Sequence, residues 1–115
     1  MLVFSLDGSA TLPAFTSTVA PRNLATGPLN PLKIARGETV FGQNCARCHG
    51  AATYSVGVLP DLKRSGLLGD SAAWKSVVID GVLKDRGMVS FAKYISSDDA
   101  ESARQYVANQ AKTVP

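Results

Sequence analysis

Apolar positions recur with a helical period in three stretches of the chain, all of them after residue 30. We expect the first helix to begin at about Pro31, with Asn30 as its N-cap, because proline is favoured in the first turn and asparagine just before it. The side chains that share its apolar face are Ile34, Gly37, Val40 and Phe41. Glycine weakens a helix interior. Gly37 therefore predicts the close approach of another helix at that position.

Two further amphipathic stretches predict helices in the second half of the chain. Asp70 or Ser71 caps a short helix that ends by Gly81, and its apolar side carries Ala73, Trp74, Val77 and Val78. The last helix begins at Ser96, with Asp99 placed for a capping box. Its expected buried stripe is Ala100, Ala103, Tyr106 and Val107.

The first 30 residues lack a helical period. Residues 2–6 predict a short strand followed by a turn at Asp7-Gly8, and a single strand is not stable without a partner. It is either a draped N-terminal arm or the last strand of a sheet whose other strands are missing. Residues 9–31 contain four prolines among small polar residues, which predicts an extended linker. We therefore divide the chain into a strand remnant with linker, 1–30, and a helical domain, 31–115.

Composition narrows the class of protein. A length of 115 residues suits one small domain, and 45% apolar with 18% charged residues is an ordinary globular balance. The net charge is +3, but the basic residues are scattered, which disfavours nucleic-acid binding. No segment has the apolar length of a membrane span.

The five residues Cys45-Ala46-Arg47-Cys48-His49 form the attachment motif of a c-type haem. Each thiolate can add to one porphyrin vinyl group, and two intervening residues on a helical turn place the sulfurs about one vinyl–vinyl distance apart. His49 then lies under the ring, where its imidazole can bind iron.

Three other interpretations use the same motif. A closed zinc site needs four ligands, and the chain has two cysteines and one histidine. A thioredoxin-like redox pair needs a βαβ unit, which the sequence does not indicate. A disulfide between Cys45 and Cys48 leaves His49 without a role.

Met88 is the candidate for the second axial ligand. His49 is the only histidine, and Met1, the other methionine, is at the terminus. Met88 follows Gly87 in a loop, and a thioether favours ferrous iron and raises the reduction potential. The alternatives are that Met88 fills a gap in the core, that a lysine binds the iron, or that the sixth position is open.

A c-type haem also predicts a compartment. In bacteria, haem is joined to such motifs outside the cytoplasmic membrane, so we expect a periplasmic protein. The start of the chain lacks the basic leader and cleavage site of a signal peptide. Either an export signal has been removed or the chain is a piece of a longer protein.

The domain from about residue 31 to 112 resembles class I cytochrome c. The resemblance is carried by Gly37, Phe41, Cys45, Cys48, His49, Gly50, Pro60, Trp74, Met88 and Tyr106. It implies an all-α fold packed around covalent haem, with Gly37 and Phe41 of the first helix packed against Ala103 and Tyr106 of the last. It also implies that the Pro60 carbonyl accepts a hydrogen bond from His49, and that Arg64 and Trp74 meet the haem propionates. Val89 stands where the family often has a proline.

Within that family the chain resembles the C-terminal haem domain of quinohaemoprotein dehydrogenases, which use pyrroloquinoline quinone (PQQ). Residues 87–91 match this subgroup, and residues 3–8 with Leu12-Pro13 resemble the last strand of its β-propeller and the linker that follows. The resemblance implies an electron-transfer domain and not an enzyme by itself.

In such a parent protein, PQQ in a missing domain would be the electron donor. The acceptor would be another cytochrome, a copper protein or a quinone system. The alternatives are a free-standing cytochrome c shuttle, a gas-binding haem sensor and a metal-free interaction module.

Overall fold

The computed structural model describes residues 7–11, 14, 21–24, 26–55, 57 and 59–113. The strand predicted at residues 2–6 lies outside the described residues, so the extended N-terminal arm stays a prediction. The described residues are helical and contain no strand. The α-helices are α1 (Pro31–Asn44), α2 (Ala46–His49), α3 (Ser71–Val78) and α4 (Ser97–Thr113). Short 3-10 turns lie at Ala51–Thr53, Leu62–Arg64, Gly66–Gly69 and Lys84–Arg86.

Local hydrogen bonds start α1 where the sequence predicts. The Asn30 side chain accepts a hydrogen bond from the Leu32 amide at 2.9 Å, and Pro31 occupies the first turn. The helix ends at Asn44, and the Cys45 amide donates to the Phe41 carbonyl at 2.8 Å. The motif therefore begins directly at the end of α1.

The crossing of α1 and α4 is the main packing contact of the fold. A Cβ atom added at Gly37 would lie 1.9 Å from the Ser102 carbonyl oxygen and 2.9 Å from Tyr106 Cβ. The Phe41 and Tyr106 rings pack with their centroids 5.5 Å apart. The close helix approach predicted from Gly37, and the aromatic pair implied by the resemblance, are both confirmed.

The other two helix starts are also set by local caps. Asp70, one of the two expected caps of α3, accepts a hydrogen bond from the Ala73 amide at 2.9 Å. Ser96 caps α4, where its hydroxyl accepts from the Asp99 amide at 3.1 Å. Beyond α3 the chain turns at Gly81, whose φ is +70°.

The core lies between α1, α3 and α4, and Leu68 and Ile95 complete it from the connecting segments. Its buried apolar residues are Val40, Phe41, Leu68, Trp74, Val78, Ile95, Ala100, Ala103, Tyr106, Val107 and Ala111. All four residues of the predicted α4 stripe are buried. A core this small leaves one side open for a further apolar body.

A polar cluster on α4 ties the helix to its surroundings. Glu101 accepts hydrogen bonds from Arg104 at 2.6 Å, Gln105 at 2.9 Å and the Ser71 hydroxyl at 2.7 Å. The buried Arg104 guanidinium also donates to the Leu68 carbonyl. The hydrogen bond from Arg104 is the main cause that lowers the pKa of Glu101 to about 2.

The second half of the linker, at residues 21–24 and 26–30, lies against the helical domain. The Asn23 amide donates to the Lys63 carbonyl at 3.0 Å, and the Asn30 amide donates to the Gln105 side chain at 2.8 Å. Thr26 is buried at 4% exposure. The boundary at residue 30 stays a prediction, but residues 21–24 and 26–30 pack as part of the domain surface. In the described part of the chain, no helix is long and apolar enough to span a membrane.

Candidate functional site

A cavity of about 620 Å³ opens between the end of α1, α3 and the loops on either side of α3. It brings together six of the seven predicted site residues, which are Cys45, His49, Pro60, Arg64, Trp74 and Met88. Most of its remaining lining is apolar, with Phe41, Leu59, Leu62, Leu67, Val77, Val78 and Leu83 among the walls. Its shape and lining suit a large apolar ligand.

The two cysteines differ in exposure. Cys45 is half-buried and lines the cavity, whereas Cys48 is exposed and is not among the lining residues. Both thiols are free. Burial, and to a smaller extent the neighbouring Cys48 thiol, raise the pKa of Cys45 to about 11. At neutral pH Cys45 is therefore a protonated thiol at the wall of the cavity.

His49 ends α2 and lines the cavity. Burial lowers the pKa of His49, and the nearby Pro60 carbonyl opposes that shift. Nδ1 is buried, yet it has no partner within hydrogen-bond geometry. The ring is thus neutral at pH 7, which is the form that binds a metal. An iron bound at Nε2 would leave the proton on Nδ1, with the Pro60 carbonyl as the adjacent acceptor.

Met88 is held at the cavity wall by the backbone around it. Gly87 has a φ of +94°, and the Met88 amide donates to the Leu83 carbonyl at 3.2 Å. The Phe91 amide donates to the Val78 carbonyl at 2.8 Å, which fastens the loop to the end of α3. The loop is therefore anchored by hydrogen bonds although Val89 replaces the proline common in the family.

Arg64 and Trp74 reach the cavity in different ways. Arg64 is half-buried, and its Nε lies 3.3 Å from an Asp61 carboxylate oxygen. The Trp74 indole N–H already donates to the Ala100 carbonyl at 2.9 Å. Because the indole has only that donor, Trp74 presents an apolar surface to the cavity.

One buried polar residue near the site was missed at the level of sequence. Lys63 is only 5% exposed, and its ammonium group lies beside the loop that follows His49. The sequence shows two adjacent basic residues, Lys63 and Arg64, and nothing in the local pattern distinguishes the buried one. The one signal in the sequence that could have drawn attention to Lys63 is its position three residues after Pro60.

The rival interpretations of the motif find no support in the described residues. These contain no group of three or more His, Cys, Asp or Glu side chains that could hold a metal ion. The described part of the chain also lacks the strands of a βαβ unit. The residues do fit a haem, since an apolar cavity, a free thiol and an unpaired imidazole nitrogen meet in one place.

Comparison with known proteins agrees with this fit. The family model described as "Cytochrome C oxidase, cbb3-type, subunit III" matches residues 32–107. The chain is 33% identical over 114 residues to quinohemoprotein alcohol dehydrogenase ADH IIB of Pseudomonas putida, covering 96% of this chain but 16% of that protein. Cytochrome c550 of Pseudomonas aeruginosa is 37% identical over 81 residues, which are 66% of this chain and 54% of that one.

A solved structure gives the same result for the fold. Quinohemoprotein alcohol dehydrogenase ADHIIG from Pseudomonas putida HK5 superposes with a TM-score of 0.66 at 27% identity, covering 93% of this chain and 15% of that one. The chain thus spans about one sixth of the dehydrogenases that it matches. This chain belongs to the cytochrome c family of that model, the domain that carries covalent haem c, and is homologous to the C-terminal cytochrome c domains of quinohaemoprotein alcohol dehydrogenases.

Proposed function

We propose that this chain is the electron-transfer domain of a PQQ-dependent dehydrogenase, which takes electrons from reduced PQQ in a partner domain and passes them singly to an external acceptor. The observation that carries the proposal is the single apolar cavity that gathers Cys45, His49 and Met88. The relatives that match nearly the whole chain support the choice of parent protein, because they are much longer dehydrogenases.

The residues would hold the haem in the following way. Cys45 and Cys48 would form the two thioether bonds, and His49 Nε2 and Met88 Sδ would be the two protein ligands of the iron. The Pro60 carbonyl would accept a hydrogen bond from the protonated Nδ1 of His49 and so fix the ring orientation. When bound, the haem supplies a one-electron ferrous–ferric couple.

The cavity walls suit electron transfer because they keep the ligands in place. Met88 is anchored through its own amide and by the hydrogen bond of the Phe91 amide to α3, so its loop need not move between redox states. The apolar lining would disfavour water around a bound haem, which would limit solvent rearrangement on transfer. Arg64 would provide a cation for a propionate, and Trp74 would pack its apolar surface against the ring.

The donor and the acceptor belong to the longer protein and to its partners, not to this domain. We infer that the isolated chain does not oxidise a substrate, because the haem would fill the apolar cavity described above. The donor is a PQQ-containing domain, and the acceptor is another cytochrome, a copper protein or a quinone system in the periplasm.

The two haem alternatives account for less of the structure. A free-standing shuttle resembles cytochrome c550, but that match leaves a third of this chain uncovered, whereas the dehydrogenases match 94% or more of it. A gas-binding sensor needs an open sixth position, and Met88 lines the cavity with its backbone fixed.

The axial assignment is tested with haem-loaded protein from an export-competent, haem-attaching host. The wild type should show the bands of a six-coordinate low-spin c-type haem, with the weak far-red sulfur-to-iron band when oxidised. Met88→Ala should lower the reduction potential by on the order of 0.1 V and allow imidazole or cyanide to bind. Val89→Ala is the matched control, since Val89 is exposed in the same loop.

Two results would contradict the proposal. A Met88→Ala protein with an unchanged potential would remove Met88 from the iron. A haem-loaded chain that is not reduced by a PQQ-dependent alcohol dehydrogenase lacking its own haem domain, with alcohol supplied, would remove PQQ as the donor.

A further inference from the structure

Lys63 is a buried basic residue whose ammonium group contacts segments close to the haem site in the described part of the chain. Its side chain is 6% exposed, and Nζ donates to the Thr53 carbonyl at 2.7 Å. Nζ also lies 3.3 Å from an Asp61 carboxylate oxygen and 5.2 Å from the centroid of the Tyr54 ring. Lysine is almost never buried unless it is paired, because desolvating an ammonium group is unfavourable. The burial of the Lys63 ammonium group therefore indicates that it has a structural role.

The loop that Lys63 contacts has an unfavourable backbone. Ala52 and Thr53 have φ values of +49° and +65°, in the left-handed region. That conformation is an outlier for a β-branched residue such as Thr53. The Thr53 hydroxyl is also buried without a hydrogen-bond partner. Such conformations persist only where the surroundings impose them, and the hydrogen bond from Lys63 Nζ to the Thr53 carbonyl is a buried side-chain contact to this segment.

This loop follows the iron-binding histidine of the proposed site without a break. A Cβ atom at Gly50 would lie 1.9 Å from the Tyr54 carbonyl oxygen, so residues 51–54 fold back tightly onto the residue after His49. A displacement of Thr53 would therefore be transmitted to His49 over a few bonds.

Lys63 also contacts the segment that carries Pro60. The Lys63 amide donates to the Asp61 side chain at 3.0 Å, which closes the turn directly after Pro60. Asp61 is also 3.3 Å from Arg64, so its carboxylate keeps a cation if the Lys63 ammonium is removed. One side chain thus joins the segment after His49 to the segment after Pro60.

We propose that Lys63 is a positioning residue of the haem site, which sets the separation between the His49 ring and the Pro60 carbonyl by clamping the 50–54 loop to the 61–64 turn. The inference rests on the proposed function, since it takes His49 as the iron ligand. Lys63 is not among the residues that line the cavity, so it would not touch a bound haem. It acts only through the two segments that it joins.

The test is hydrogen exchange in the ferrous, haem-loaded protein, followed by NMR at the His49 Nδ1–H and the Tyr54 amide. The amide of Val107, which is fully buried in α4, reports global unfolding in the same sample. Lys63→Met should accelerate exchange at the first two sites at least tenfold more than at Val107. Lys63→Arg, which keeps a cationic donor, should restore part of the protection.

Two further variants control the experiment. Lys75→Met removes an exposed lysine that pairs with Asp80 at 3.0 Å, and it should change none of the three exchange rates. Thr53→Gly permits the left-handed backbone without assistance. In the Thr53→Gly variant, Lys63→Met should accelerate exchange at His49 less than it does in the wild type. The Thr53→Gly variant also allows the test to be made if Lys63→Met alone does not fold.

Equal acceleration at His49, Tyr54 and Val107 would overturn the proposal, because Lys63 would then contribute only to general stability. Unchanged exchange at His49, or an equal effect of Lys63→Met in both Thr53 backgrounds, would also overturn it. The optical spectrum of the wild type tests the iron ligands separately. A failure of the proposed function is therefore visible before any Lys63 variant is compared.

Discussion

Replacing Gly37 with alanine should force α1 and α4 apart. The added Cβ would lie 1.9 Å from the Ser102 carbonyl oxygen, whereas an ordinary contact between such atoms is about 3.4 Å. The Ser102 oxygen belongs to the α4 backbone and cannot rotate away. The helices must therefore separate by roughly 1.5 Å, which also loosens the Phe41–Tyr106 ring contact.

The expected loss of stability follows from three opposing contributions. Overpacking a core typically costs about 1–3 kcal/mol, and a loosened aromatic pair adds about 0.5–1.5 kcal/mol. Alanine is a better helix former than glycine by about 1 kcal/mol, which offsets part of this loss. Since the obstacle is backbone, we expect the free energy of unfolding to fall by about 2–3 kcal/mol for Gly37→Ala.

Denaturant unfolding of the haem-loaded protein, followed by circular dichroism of the helices, measures this change. Gly42→Ala is the matched control, because Gly42 lies in the same helix and no heavy atom would come within 4 Å of its Cβ. That variant should be stabilised by up to about 1 kcal/mol. If both variants shift stability in the same direction and by similar amounts, the close crossing at Gly37 is refuted.

Two other substitutions test the polar contacts of α4. The folded pKa of Glu101, about 2, lies below its ordinary value of 4.5, so the carboxylate stabilises the fold above pH 4.5 and this contribution is lost as pH falls towards 2. Glu101→Gln should lower the free energy of unfolding by about 1–2 kcal/mol at pH 7, allowing for solvent screening of a side chain that is 22% exposed. In urea titrations the difference from wild type should shrink as the pH falls from 4.5 towards 2. A difference that does not depend on pH would contradict this prediction. Trp74→Phe should cost about 2–3 kcal/mol in thermal unfolding, because it removes the indole hydrogen bond to the Ala100 carbonyl and leaves a space in the core. It should not alter the pH dependence of the reduction potential, and a change there would mean that the indole N–H serves a propionate instead.

Much of the helical framework could be predicted because its causes are local. Asn30, Asp70 and Ser96 each cap a helix through a hydrogen bond to an amide two or three residues away, so the relevant partners are adjacent in the sequence. Gly37 was informative for a different reason. A glycine in the interior of an otherwise regular amphipathic helix is unfavourable by itself. Its presence indicates that another element packs so closely at that position that any side chain would clash.

In the candidate site, too, the local motif could be predicted from the sequence, whereas the arrangement of distant segments could not. The Cys45–His49 motif indicates covalent haem from spacing alone, and the family match agrees with it. The gathering of Pro60 and Met88 around one cavity depends on segments that are 10 to 40 residues away from the motif. Their arrangement was implied by the resemblance to cytochrome c and not by any local pattern, and their roles stay predictions.

The helical period and the capping groups in the sequence were sufficient to predict the three longer helices and where they start, and the haem motif was sufficient to predict the cofactor. Tertiary structure was needed to decide which polar groups are buried and with whom they pair. Lys63 and Arg64 are neighbours with similar chemistry, yet Lys63 is buried against Thr53 and Arg64 borders the cavity. Likewise the Trp74 N–H reaches a carbonyl 26 residues away. The physical reason is that burial of a polar group is set by the packing of distant segments, whereas helices and their caps are set by atoms a few residues apart.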